Sequence, residues 1–339
     1  MIFKKMRFQL KIILIISLLF STNAAAKTTN TDFFIWLDSF KKIAREEGVS
    51  ENTIKTVLNK SIFLPDVIKY DRFQPEFYED TKTYIKKRTN NKKVNKGILY
   101  YKRKNNIIND IEKKFFVEKE LLLALMGIET NYGTYLGKMD IISSLATLSY
   151  DKRRSVFFSN ELLTLLKLID SNYIKPDILY GSWAGAFGNF QFMPSTIKNH
   201  AIDYDKNSII ELKKIEDSFA SAANYLNNIG WKKNGNCFLK VELNDDIPEK
   251  YLNNSAKKIT NKEKFKFFRK YINNNDIENI DDNELVAVIT PDVDIVPNSK
   301  KKSPAYIVFN NYELILKWNR SLRFALAVCT LKNKLKNEI

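Results

Sequence analysis

Histidine is nearly absent from this chain, since His200 is the single histidine among 339 residues. Ser–His and Cys–His catalysis each require a histidine beside the nucleophile, and a multi-histidine metal site requires several. These chemistries therefore have little material to work with.

Cysteine is also scarce, with Cys237 and Cys329 as the two examples. An oxidising compartment would permit a disulfide between them. Cys329, however, follows the apolar helical run 324–328, where a cysteine behaves as a small buried hydrophobic residue. We expect free buried thiols, although the sequence alone leaves the pairing open.

The apolar run at the amino terminus, residues 12–20, is too short to cross a bilayer as a mature helix. Four basic residues precede the run, and three alanines at 24–26 follow it. This pattern predicts a cleavable signal peptide at residues 1–26, with an uncleaved anchor as the alternative. No cysteine lies near the cleavage site, which argues against a lipoprotein, so we expect a periplasmic chain starting near Lys27.

The formal net charge is +16, of which the leader supplies four positive charges. A basic surface can meet nucleic acid, anionic lipid or an anionic wall polymer. Export argues against nucleic acid. Because lysine, asparagine and isoleucine are abundant throughout, the charge is weak evidence about partners.

Apolar spacing predicts a mainly helical (α+β) protein with helices at 31–60, 106–129, 140–170, 217–229 and 319–335, and another opening at Pro194. Short β-branched runs predict strands at 238–243, 285–289, 305–309 and 313–317. We therefore expect a catalytic region at 27–339. Its helical body comprises 27–235 and 318–339, and a small β-containing insertion occupies 236–317.

Glu129 lies at the end of the apolar run 121–128 and is followed at once by the turn sequence 130–133. The run is typical of a helix buried on all sides. Desolvation at such a position raises the pKa of a carboxyl group, and the negative end of the helix dipole acts in the same direction. Glu129 is therefore a candidate general acid. A solvated glutamate at a helix end is the alternative.

Five sequence blocks have to be considered together: 127–133; 145–150 with 153–154; the glycine-rich block 181–195; 223–226 with 230–231; and 317–321. In this order they resemble the lytic murein transglycosylase B family of glycoside hydrolases, over most of the chain from about Asp71. The resemblance implies a lysozyme-like helical core that cleaves peptidoglycan glycan strands without hydrolysis. It also implies a 1,6-anhydro-N-acetylmuramoyl product end.

Most glycosidases require two carboxylates that flank the cleaved bond. Here only Glu129 has an apolar frame, which fits a mechanism in which one carboxyl group acts first as acid and then as base. The residues alone do not distinguish this from hydrolysis; the resemblance does. A hydrolytic muramidase and a non-catalytic peptidoglycan-binding or scaffold protein remain as alternatives. We expect a monomer that needs no organic cofactor, and the sequence names no protein partner among cell-wall enzymes.

The resemblance also implies substrate-binding roles, which are carried over residue by residue to the following positions: Ser182, Gln191, Arg153, Arg154, Tyr225, Asn319 and Tyr84. Alternatives are local capping or solvent exposure for Ser182 and Gln191, a solvated pair for the arginines, a core position for Tyr225 and a helix cap for Asn319.

The glycines and alanines of the glycine-rich block allow either close approach of a bulky ligand or close packing between helices. Three other aromatic side chains in the block, Trp183, Phe187 and Phe190, offer faces to sugar rings. For Tyr132 we favour packing over sugar stacking. Phe324 stands where the family often has a tyrosine, so a hydroxyl contact is lost.

Oxygen donors alternate along the segment 203–209, as they do in a calcium-binding loop. Asp203, Asp205 and Asn207 would be ligands, and Asp217 would match a later acid in some family members. Ser208 stands where such loops need glycine, and Lys206 intrudes. An ordinary turn rich in Asx residues is therefore the preferred interpretation.

Overall fold

The computed structural model describes residues 30–73, 78–273, 280–293 and 302–339. The predicted signal peptide lies outside these ranges. No helix within them is long and apolar enough to cross a membrane.

The helices are short to medium in length and pack around one another into a helical body. In chain order they are α1 Asn30–Glu46, α2 Glu51–Thr56, α3 Pro65–Arg72, α4 Thr81–Arg88, α5 Asn91–Phe115, α6 Lys119–Thr130, α7 Ile141–Tyr150, α8 Ser155–Asp170, α9 Pro194–His200, α10 Ile215–Asn228, α11 Phe265–Arg269, α12 Asn310–Trp318 and α13 Leu322–Lys336. The expectation of a mainly helical fold is confirmed.

Two sheets accompany the helices. The strands are β1 Met139–Asp140, β2 Tyr180–Gly181, β3 Phe238–Val241, β4 Leu252–Asn253, β5 Glu263–Lys264, β6 Leu285–Ile289 and β7 Ala305–Val308. β1 and β2 form a small antiparallel ribbon. The larger sheet has the order β3-β7-β6-β4, with β5 paired to β6, and only its β4–β6 pairing is parallel.

Four sequence predictions of secondary structure need correction. Residues 31–60 do not form one helix, because α1 ends before Gly48, whose φ of +87° breaks the helical path. The region 106–129 is divided at Phe116, which adopts φ of 55°, and the region 140–170 is divided by the turn 151–154. Residues 313–317 belong to helix α12 and not to a strand, since a short apolar run has no period that separates the two.

Helix α6 lies at the centre of the helical body. Its side chains from Leu121 to Met126 are at most 1% exposed. Helices α5, α10 and α13 pack against it. The predicted burial on all sides is confirmed.

A disulfide joins Cys237 to Cys329, with 6.1 Å between their Cα atoms. The expectation of free thiols was wrong, because it considered only the local context of Cys329 and not its neighbour 92 residues away in sequence. Cys237 directly precedes β3 and Cys329 lies in α13, so the bond fastens the edge of the sheet to the helical body.

A buried ion pair fastens the sheet a second time. Arg323 of α13 donates from Nη2 to Asp292 Oδ1 at 2.8 Å, and both residues are at most 6% exposed. The same carboxylate accepts the backbone N–H and the hydroxyl of Thr81 at the start of α4. Asp292 therefore ties the segment after β6 to two helices.

Replacing both cysteines with alanine should lower the free energy of unfolding by about 4 kcal/mol, because the crosslink closes a loop of 92 residues in the unfolded chain. Urea unfolding of the oxidised protein and of the double variant measures the difference. The matched control repeats both measurements with reductant. Reductant should remove the difference, and equal stability of the two oxidised proteins would contradict a structural role for the bond.

Candidate active site

Glu129 occupies the last turn of α6, where the helix ends in an unusual turn. Three consecutive residues take the left-handed conformation: Asn131, Tyr132 and Gly133 have φ of 50°, 59° and 75°. The N–H of Asn131 is donated to Met126 O, which closes the helix. The turn leaves Glu129 half-buried at the boundary between the apolar helix and the surface.

Trp318 holds the Glu129 carboxylate. Its indole Nε1 donates a hydrogen bond to Glu129 Oε1 at 3.0 Å, across 189 residues of sequence. Trp318 is the last residue of α12, so the end of that helix is brought directly against the end of α6. Trp318 was not among the residues predicted from the sequence, although it lies in the last of the five sequence blocks, 317–321, beside Asn319.

Aromatic rings fix the orientation of Trp318. Its ring stacks on Tyr225 at 5.2 Å between centroids and packs against Phe192 at 5.1 Å. Tyr225 in turn stacks on His200 at 4.5 Å. Because the indole packs against these rings, its N–H has a defined direction toward the carboxylate.

Tyr225 is committed to the protein on one side. Its hydroxyl donates to Lys317 O at 3.1 Å, and burial raises its pKa. Tyr225 therefore supports Trp318 as well as lining this region. The core interpretation and the binding interpretation are compatible here.

The turn after Glu129 is bonded to the glycine-rich block. Thr130 is fully buried, and its hydroxyl donates to Asn189 O at 2.8 Å and accepts the N–H of Gly133 at 3.1 Å. The Asn189 side chain donates to Ser218 Oγ at 2.9 Å. This chain of bonds sets the position of the block relative to the end of α6.

Tyr132 packs beneath the same turn, as predicted. It is 5% exposed, and its ring lies between Gly97 and Gly127. A Cβ atom on either glycine would lie within 2.9 Å of the ring or its hydroxyl. The absence of a side chain at both positions is what admits the ring.

Ser182 and Gln191 are both half-buried in the glycine-rich block. Ser182 Oγ accepts the N–H of Ala186 at 3.0 Å, which leaves the hydroxyl hydrogen able to donate elsewhere. Gln191 has φ of 50° and donates from Nε2 to Gly188 O at 2.9 Å. Both side chains therefore shape the block locally, and their substrate roles stay predictions.

Phe187 and Phe190 are each 2% exposed, so the expectation that they offer faces to sugar rings was wrong. Phe190 packs edge-on against Phe219 and Trp318. Both rings belong to the core because the block folds back on α10. Trp183 remains half-buried.

Arg153 and Arg154 share one carboxylate. Arg153 Nε donates to Asp71 Oδ2 at 2.6 Å, and Arg154 binds Asp71 Oδ1. Asp71 is 2% exposed, while the two arginine side chains are 44% and 39% exposed. The pair is therefore held on one side and open to solvent on the other.

The last two predicted contacts lie in different settings. Tyr84 is 4% exposed and lies under the Arg88 guanidinium, 3.5 Å from the ring centroid. Asn319 is half-buried next to Trp318, and Ser321 caps helix α13. The alternative in which Asn319 caps that helix was therefore wrong.

The segment 203–209 has several features of a cation-binding loop. Carboxylate oxygens of Asp203, Asp205 and Asp217 lie within 4.8 Å of one another. Asp203 accepts the N–H groups of Asn207 and Ser208, and Ser208 takes φ of 71°, the conformation for which glycine is normally needed.

Asp217 closes this loop from helix α10. It is fully buried and accepts the N–H groups of Tyr204 and Glu211, both at 2.8 Å. Burial raises its pKa, and the nearby Asp205 charge adds to the shift. The turn hydrogen bonds that we preferred are present, and so is a converging set of acidic oxygens.

The chain matches the model of the Transglycosylase SLT domain over residues 32–333. The chain belongs to this family. A curated relative, membrane-bound lytic murein transglycosylase B of Escherichia coli (strain K12), is 36% identical over 151 residues. The matched stretch covers 44% of this chain and 42% of that protein, so the chain matches less than half the length of this relative.

Solved structures extend the likeness to nearly the whole fold. SltB3 from Pseudomonas aeruginosa, in complex with NAG-NAM-pentapeptide, has a TM-score of 0.78 and 28% identity, with 90% of this chain and 79% of that chain covered. A second SltB3 structure, in complex with NAG-anhNAM-pentapeptide, has a TM-score of 0.78 and 27% identity over the same shares.

The Escherichia coli lytic transglycosylase SLT35, in complex with calcium, has a TM-score of 0.72 at 24% identity and covers 93% of this chain and 95% of that one. At this identity the likeness concerns the fold. The predicted family and the lysozyme-like helical fold are confirmed.

Changing Trp318 to Phe keeps a ring in the aromatic stack and removes the N–H donor to Glu129. A hydrogen bond to a charged group contributes roughly 1.5–3 kcal/mol, so we expect kcat on peptidoglycan, the substrate that the family resemblance implies, to fall at least about tenfold. The matched control is Trp231→Phe, because Trp231 Nε1 donates to Glu118 at 2.6 Å in the core. The control should lose stability but not kcat. Unchanged kcat in Trp318→Phe would show that this bond does not position the acid.

Proposed function

We propose that this protein is a lytic transglycosylase of peptidoglycan. It cleaves the β-1,4 bond between N-acetylmuramic acid and N-acetylglucosamine and leaves a 1,6-anhydro-N-acetylmuramoyl end. The observation that carries the proposal is Glu129 at the end of a buried helix, held by Trp318, in a chain of this family. The SltB3 complexes with NAG-NAM-pentapeptide and NAG-anhNAM-pentapeptide support the choice of substrate and product.

The reaction requires one carboxyl group and no water. Glu129 first donates its proton to the glycosidic oxygen, and the bond from that oxygen to the muramoyl C1 breaks. The resulting carboxylate then removes the proton from the 6-hydroxyl of the same muramoyl residue, and that oxygen forms the new bond to C1. Glu129 ends in its starting state.

Trp318 serves the second half of this sequence. Its N–H directs the carboxylate and balances part of the negative charge that appears when Glu129 has given up its proton. Because Glu129 is half-buried, the protein shields part of its carboxylate from bulk water. This shielding favours attack by the sugar's own hydroxyl over attack by water.

The remaining contacts are proposed as substrate-binding residues. The free hydroxyl hydrogen of Ser182 would bind the N-acetyl group or the intermediate, and Gln191 would bind a polar group of the sugar. Asn319, beside Trp318, would orient the muramoyl residue. Arg153 and Arg154 would offer their solvent-facing N–H groups to the glycan or its peptide, and Tyr225 and Tyr84 would line the cleft.

We further propose that residues 1–26 are a cleaved signal peptide and that the catalytic region 27–339 acts as a monomer in the periplasm. Its partner there is the glycan strand and not nucleic acid. Within this region, residues 27–235 and 318–339 form the helical body and residues 236–317 form the insertion, whose last helix, α12, packs against the helical body. No organic cofactor is required by the proposed chemistry.

Changing Glu129 to Gln should lower glycan release at least about a thousandfold, because the amide can neither donate the required proton nor accept the second one. Purified sacculi are digested and the released muropeptides are weighed. The wild type should give products one water lighter than hydrolytic products. Glu46→Gln, an exposed position on α1, is the matched control and should behave as wild type.

The product mass also tests the alternatives. Products that carry the added water would identify a hydrolytic muramidase. Binding to sacculi without any release by the wild type would identify a non-catalytic wall-binding protein.

We propose a structural Ca²⁺ held by Asp203, Asp205, Asn207 and Asp217. The converging oxygens and the turn at Ser208 fit a hard cation that prefers oxygen ligands. The ion would stabilise the loop and take no part in catalysis.

Calcium should raise the Tm of the wild type by several degrees relative to chelator, since binding to the folded state alone adds RT ln(1 + [L]/Kd). Because burial raises the pKa of Asp217, the cost in stability builds up as the pH rises from the ordinary carboxyl pKa to the raised one, and protons compete with calcium below the raised pKa. The increment in Tm should therefore shrink as the pH falls. Asp205→Asn should abolish the increment, while Asp245→Asn, an exposed acid in the insertion, should retain it. No increment in the wild type at neutral pH would exclude the site.

A further inference from the structure

Two aromatic side chains are exposed on the surface, close in sequence to Asp71, which holds the arginine pair. Phe73 is 73% exposed and Tyr78 is 60% exposed, yet their rings stack on each other with centroids 4.8 Å apart and planes 18° from parallel. Large apolar groups that are exposed together and ordered against each other are typical of binding surfaces. We call Phe73 and Tyr78 the aromatic platform.

At one end, the platform is connected through the chain to Asp71, the residue that holds the solvent-facing arginine pair. Phe73 lies two residues after Asp71, whose carboxylate binds both Arg153 and Arg154. Arg153 also donates from Nη2 to the backbone oxygen of Asp71 at 2.7 Å. The guanidinium groups are therefore fixed against the same stretch of chain that carries Phe73.

At its other end, the platform is connected through the chain to a residue that holds a second basic group. Tyr78 precedes Glu79, which accepts a hydrogen bond from Arg88 at 2.9 Å. Arg88 lies over the ring of Tyr84, which is itself proposed to line the cleft. Phe73 and Tyr78 thus lie close in sequence to residues that hold side chains with substrate roles in the proposed function.

We propose that the aromatic platform binds a sugar ring of the same glycan strand, beyond the pair of sugars at the cleaved bond. This proposal rests on the proposed function. A pyranose has a face of C–H groups that packs on an aromatic ring, and muramoyl residues carry carboxylates on their peptide stems. Stacked rings, on a stretch of chain whose neighbouring residues Asp71 and Glu79 hold guanidinium groups, complement both features. A nucleic acid or lipid partner would use the same charge but not the same sequence of contacts along the chain.

The platform should matter for long glycans and not for short ones. Phe73→Ala/Tyr78→Ala should raise KM about tenfold on uncross-linked glycan strands of many disaccharides, with kcat changed by less than about twofold. On a single-bond tetrasaccharide, the double variant should match the wild type, so the ratio of the two kcat/KM values falls about tenfold.

Two further variants make the result specific. Phe73→Tyr/Tyr78→Phe keeps both rings and should restore the low KM on long strands. Tyr173→Ala removes another exposed aromatic side chain, 53% exposed, and should leave the ratio unchanged.

These experiments distinguish a failure of the platform proposal from a failure of the proposed function. If the wild type forms no anhydro product, the proposed function itself is overturned. Normal anhydro product with an unchanged substrate ratio in the alanine double variant would overturn the platform alone. Equal losses on long and short substrates would assign the rings a structural role. Salt-sensitive binding of the wild type to anionic vesicles that the double variant loses, without any change in the ratio, would assign the platform to lipid.

Discussion

The enclosure of helix α6 by apolar neighbours is the constraint on which the site depends. The last carbonyl groups of a helix have no partner within the helix, so a buried helix needs other hydrogen-bond donors at its end. The left-handed turn at 131–133 supplies such donors for α6. Lys93 supports it from α5 by donating from Nζ to Gly127 O at 2.7 Å. Burial lowers the pKa of Lys93, so this positive charge is held at the helix end at some cost. Glu129 lies at this polar end of α6, where the helix reaches the surface.

The site also requires that segments distant in sequence meet at the end of α6. Helix α13 packs along α6 and carries both the disulfide and Arg323, which fasten the larger sheet. Helix α12 follows directly from that sheet and ends at Trp318. The larger sheet is therefore connected to the site, because the disulfide and the ion pair hold it against α13 and α12 leads from it to the indole.

Part of this could be predicted from sequence. The period of the run 121–128 and the turn after it predicted the buried helix and its carboxylate, since both signals are local. The glycine-rich block was recognised as special, although its phenylalanines entered the core. In a short segment, composition and periodicity do not distinguish a strand from a helix, which explains the wrong strand prediction at 313–317.

Pairings that depend on the folded path could not be predicted. The bond of Cys237 to Cys329 and the contact of Trp318 with Glu129 join positions 92 and 189 residues apart. Asp71, which organises two predicted arginines, is likewise 82 and 83 residues from them. No local pattern encodes such distances, and only the family resemblance pointed to the blocks that meet.

The contact between Glu129 and Trp318 also bears on the order in which the chain is made. The carboxylate is synthesised 189 residues before its indole partner, and the larger sheet is synthesised between them. A nascent or clipped chain that stops before helix α12 has the carboxylate but not the N–H that directs it. The arrangement around Glu129 is therefore completed only after α12 has been made and has packed against the end of α6.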